Sequence, residues 1–115
     1  MNKATSEFVS HLSEVFEDFG PISARRMFGG YGIYHGDLMF GLVADDVLYL
    51  KADASSQPEF ARRELQPFTY VKAGKTMNMS YFAAPEEVYE DRAAAKRWAV
   101  LAYEAALRNR PRTRR

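Results

Sequence analysis

The chain contains no cysteine, which excludes disulfides, thiolate metal sites and cysteine nucleophiles, and suits a reducing compartment. Only two histidines, His11 and His35, offer imidazole bases, so the supply for triad or general-base chemistry is thin. No run approaches the ~20 apolar residues of a membrane span, and the opening Met1-Asn2-Lys3-Ala4-Thr5 lacks the apolar stretch of a signal peptide. A soluble, cytoplasmic protein with no membrane partner is expected. There is little excess of either charge, the formal net charge being +1.

That near-neutrality hides an asymmetry. Arg108, Arg110, Arg112, Arg114 and Arg115 crowd the last eight positions, which hold no acid, and the body before them carries 11 basic against 15 acidic side chains. A mildly acidic domain over residues 1–107 and a basic tail over 108–115, disordered when the protein is alone, are the expected units. The five tail arginines can neutralise phosphates without reading sequence, which makes them the candidate nucleic-acid-binding residues. With 115 residues, 47% of them hydrophobic, the body can bury a core.

From residue 7 to 19, Phe8, Leu12, Val15, Phe16 and Phe19 recur at helical spacing and stop at Gly20-Pro21. His11 and Glu14 share the polar face of that helix, two groups that fall short of a metal site. Next comes Arg25-Arg26-Met27-Phe28-Gly29-Gly30-Tyr31-Gly32-Ile33-Tyr34, and four of the seven glycines fall between positions 29 and 36. Glycine among aromatic and β-branched residues reads as strand bent at its glycines. The glycines open onto a strand and not onto a helix, which favours a bulge over a phosphate loop.

Gly36-Asp37 and Asp45-Asp46 suit two-residue hairpin turns, giving a three-stranded meander. In its middle strand Leu38, Phe40 and Leu42 alternate with Met39, Gly41 and Val43, so both faces should be covered at least in part. Ser56 with Glu59 fits a capping box for a short helix that ends before Pro67. Two strands follow around Ala73-Gly74-Lys75. In the second, Met77, Met79 and Tyr81 share one face and Thr76, Asn78 and Ser80 the other, which should set core against water or partner. A last helix, residues 85–107, is framed by Pro85, Glu86 and Glu87 at its start. The fold expected is α+β, an antiparallel sheet of about five strands with the N- and C-terminal helices packed on it.

The run RRMFGGYGIY, then LMFGLVADDVLYLKAD and AGKTMNMSYFAAPEEV, resembles the N-terminal domain of the TfoX/Sxy proteins, regulators of bacterial competence genes, across residues 8–107. Full-length members carry a second, C-terminal helical domain that these 115 residues lack. The resemblance implies a non-enzymatic regulatory or interaction domain, with no catalytic residue, metal or cofactor. Its partner would be a protein such as a DNA-bound transcription factor, met by Arg25, Arg26, Met27, Phe28, Gly29, Gly30, Tyr31 and Gly32. The two arginines beside Phe28 and Tyr31 could contact phosphates and stack on bases, or dock an acidic partner. The alternative is direct nonspecific nucleic-acid binding through the arginine tail. A small-molecule enzyme is a third reading, for which the sequence offers no convergent catalytic set. An exposed strand edge would also allow a homodimer.

Overall fold

A computed structural model describes residues 3–27 and 29–110. Helix α1 (Lys3–Val15) leads into a six-stranded sheet of β1 (Ser23–Met27), β2 (Gly30–His35), β3 (Leu38–Ala44), β4 (Val47–Lys51), β5 (Pro67–Lys72) and β6 (Lys75–Ala83). The short α2 (Gln57–Arg62) lies between β4 and β5, and α3 (Glu87–Glu90) and α4 (Arg92–Arg108) follow β6. All pairings are antiparallel and the order is β1-β2-β3-β4-β6-β5, so β6 is inserted beside β4 and β5 becomes an outer edge. The α+β class and the terminal helices hold as expected. The strand beyond the expected five is β1, whose Ser-Ala-Arg-Arg-Met sequence has no apolar alternation and is recruited by its ladder with β2.

The hairpin turns form where the sequence puts them. Asp45 and Asp46 both take positive φ, +53° and +62°, as do Ala73 and Gly74 at +53° and +80°, the left-handed pair that matches strand twist in a two-residue loop. Gly30 is required for another reason: a Cβ there would collide with the Val43 carbonyl oxygen of β3.

Register assigns the faces. Across one row lie Ala24, Ile33, Gly41, Leu50, Phe82 and Pro67, and Ile33 and Leu50 are fully buried. The next row carries Arg25, Gly32, Leu42, Tyr49 and Ala83 on the opposite face. The helices cover only the first face. Phe16 meets Phe40 at 5.7 Å, Phe60 of α2 stacks on Phe82 at 5.3 Å and meets Trp98 edge-on at 5.2 Å, and Leu12, Ala95, Ala99, Ala102 and Ala106 complete the core. The alanines of α4 let its backbone approach β3 and β4 closely.

Four expectations are corrected. A register shift at Ile33/Tyr34 places an extra residue in β3, so Phe40 and Val43 both enter the helix-side core while Leu42 faces away. In β6, Phe82 joins the core, and Tyr81, though buried, lies on the face away from the helices. The single last helix is two, because Asp91 turns extended (φ −141°, ψ 116°) and its carboxylate accepts from the Ala93 N–H at 3.0 Å, capping α4. Likewise Ser56 caps nothing; its hydroxyl accepts from the Asp53 N–H at 3.0 Å.

Candidate functional site

The stretch 25–32 forms the β1–β2 hairpin, and strand alternation divides it. Arg25 projects on the uncovered face with its guanidinium 4.3 Å from the centre of the Tyr34 ring. Arg26 pairs in register with Tyr31 on the helix side of the sheet, where Tyr31 packs against the core. Both arginines are exposed, and among the described residues neither forms an ion pair with an acid. Met27 returns to the uncovered face over Gly32, where a Cβ would come within 2.8 Å of the Met27 sulfur and 3.0 Å of the Met39 sulfur. Gly29 is exposed in the turn, Gly30 is buried in the ladder, and Phe28 lies outside the described residues. The described residues of this stretch therefore supply two surfaces.

Of the arginines expected in a tail, Arg108 is instead the last residue of α4. It donates from Nε and Nη2 to the Asp53 carboxylate at 2.7 and 2.9 Å, beside Asn109 Nδ2 at 3.0 Å. These donors, Arg108 foremost, hold the Asp53 carboxyl far below the usual carboxylate range. Arg110 is exposed, and Arg112, Arg114 and Arg115 lie outside the described residues.

Other ionisable groups serve the helix layer. Glu87 accepts from Arg63 at 2.6 and 3.2 Å and from Trp98 Nε1 at 3.0 Å, which lowers its pKa to about 2, the Arg63 bond contributing most. His35 is half-buried: it packs 4.7 Å from Phe19 and 5.2 Å from Tyr103, and its Nδ1 donates to the Pro21 carbonyl at 2.7 Å. His11 lies 3.4 Å from Glu14 on the exposed side of α1. A depression of about 250 Å³ beside Trp98, Leu101 and Glu104 is open to solvent and gathers no nucleophile with a base. No helix among the described residues is long and apolar enough to cross a membrane.

What stands out is a set the sequence reading missed. On the uncovered face, Tyr34, Tyr49, Phe68, Tyr70 and Tyr81 spread over β2, β4, β5 and β6, with Lys51 Nζ 5.2 Å from the centre of the Tyr81 ring and Tyr49 5.1 Å from Phe68. Burial, and secondarily Tyr34, pushes the Tyr81 phenol up to about 12. The available signal was alternation in each strand, but joining the strands needs the β4–β6 pairing, which no local pattern encodes.

Comparison with known proteins bears on the whole fold. The profile of the family described as "TfoX N-terminal domain" matches residues 14–106. "DNA transformation protein TfoX1" of Aliivibrio fischeri is 34% identical over 82 residues, covering 68% of this chain and 39% of that protein. "Protein Sxy" of Escherichia coli K12 is 27% identical over 97 residues, covering 84% of this chain and 46% of the relative. The chain spans less than half the length of either curated relative.

Proposed function

The chain belongs to the family of the TfoX N-terminal domain, and from that premise we propose that it is a non-enzymatic regulatory domain acting in the cytoplasm through a protein partner, a transcription factor on DNA. The observation that carries this reading is the free charge of Arg25 and Arg26 on the edge strand β1: two exposed guanidiniums without an acidic partner among the described residues. Two exposed guanidiniums on a sheet edge, neither tied to an acid among the described residues, suit an acidic surface brought by another protein. Because one relative is named a DNA transformation protein, genes of DNA uptake are the first targets to examine.

The test is retention on immobilised genomic DNA with and without added bacterial extract. Retention only with extract, lost in the Arg25→Ala/Arg26→Ala double variant at unchanged melting temperature, supports the proposal. Equal retention of the variant removes these residues from it. Five arginines within the last eight positions favour a second reading, direct nonspecific binding, under which the chain is held by bare DNA and released on cutting after Leu107.

A further inference from the structure

Charge is segregated by secondary structure. The six strands hold five Lys or Arg (Arg25, Arg26, Lys51, Lys72 and Lys75) and no Asp or Glu, while all 15 acidic residues lie in helices, turns and loops. Register puts Lys72 opposite Lys75 and Lys51 opposite Tyr81, so four of the five cations share the face that the helices leave uncovered. On it Tyr70 is 39% exposed, and Phe68 stacks beside Tyr70 with 20° between ring planes.

We propose that this open face of the sheet binds single-stranded nucleic acid, its rings stacking on bases and Lys51, Lys72 and Lys75 holding phosphates. A charged groove or face set with aromatic rings is the shared requirement of proteins that hold single strands without reading sequence. Arg25 over Tyr34 adds a planar guanidinium, itself a stacking surface. From β2 to β5 the rings span four strand spacings, roughly 19 Å, enough for a few successive nucleotides. A duplex, whose bases are already stacked inward, would use the cations but not the rings.

Charge also argues against the other occupants. A second copy joined through this face by a two-fold axis would set four cations against four with no acid between them. An acidic peptide would satisfy the cations and leave the aromatic rings without partners. The binding surface here reaches the β1 edge at Arg25 but is centred on β4, β5 and β6, and the arginine tail has no part in it.

The experiment is fluorescence anisotropy of the full chain with labelled oligo(dT) and oligo(rU) of about 12 nucleotides and a duplex of the same length, at low and near-physiological salt. Both single strands should bind at least tenfold more tightly than the duplex, and whichever of the two binds better names the natural class as DNA or RNA. Tyr70→Leu should weaken single-strand binding about tenfold, with Tyr70→Phe restoring it. Lys51→Gln with Lys72→Gln should reduce the salt slope by about 1.4. Wild-type binding by folded Tyr70→Leu and by the lysine pair overturns the proposal, as does equal affinity for duplex. Failure of the intact chain to bind any probe overturns it too, as does dimerisation in sedimentation that those same variants abolish.

Discussion

The two faces of the sheet use similar apolar residues for opposite ends. On the helix side Phe16, Phe40 and Phe60 are fully buried, and the acids around them are tied up in pairs such as Glu87–Arg63 and Asp53–Arg108. On the open side Tyr49, Phe68 and Tyr70 meet one another, Tyr34 and Tyr81 meet Arg25 and Lys51, and no acid in the strands neutralises those cations. Burial by a second layer makes a core; burial within a single layer leaves a surface that something else can cover. The difference rests on which side each strand residue faces, and the register shift in β3 resets that for Leu42.

The contrast can be broken most severely from the covered side. Phe40→Ala should lose about 3–5 kcal/mol of stability in urea unfolding, since the ring is fully buried against Phe16 and Phe19. Ala99→Leu should cost about 1–3 kcal/mol in the same measurement, because α4 has no room for a larger side chain where it meets the sheet. A smaller loss from Ala99→Leu than from an exposed-site control would mean that the helix lies further from the sheet than described.

pH should separate the layers. Glu87 has its pKa lowered to about 2, so the stability it contributes is present above the usual carboxylate range near 4.5 and is lost as pH falls toward 2. The melting temperatures of wild type and Glu87→Gln should therefore converge on acidification. Tyr81 has its pKa raised to about 12, so its contribution is present below 10 and lost as pH rises from 10 through 12; Tyr81→Phe should resist that alkaline loss. The smallest effect belongs to the open edge: Tyr70→Ser should change stability by less than about 0.5 kcal/mol. A loss of several times that in urea unfolding would show the open face to be structural.

Much of the frame was legible because short-range chemistry encodes it. Leu12 and Val15 announce the buried stripe of α1, and Asp45-Asp46 and Ala73-Gly74 announce turns by residue type and spacing. What escaped was decided at longer range or by competition. The strand β1 is held by its neighbour, not by its own pattern; Asp91 stops a helix that propensity alone would run through; and β6 finds β4 across an intervening helix and strand. The candidate site was half visible: Arg25 and Arg26 were marked by charge and glycine context, but Phe68, Tyr70 and Tyr81 join Arg25, Tyr49 and Lys51 only through that same β4–β6 pairing.

The insertion of β6 also has a consequence in time. As the chain leaves the ribosome, the Val47–Lys51 strand emerges roughly 30 residues before the one that will pair with its outer side, a wait of about 2–6 s at ordinary synthesis rates. Through that interval Val47-Leu48-Tyr49-Leu50 presents an unpaired, strongly β-forming edge, so the growing polypeptide is most prone to wrong strand pairing just after the first hairpins have closed. Arrival of the β5–β6 hairpin ends the exposure by capping that edge from the far end of the sequence.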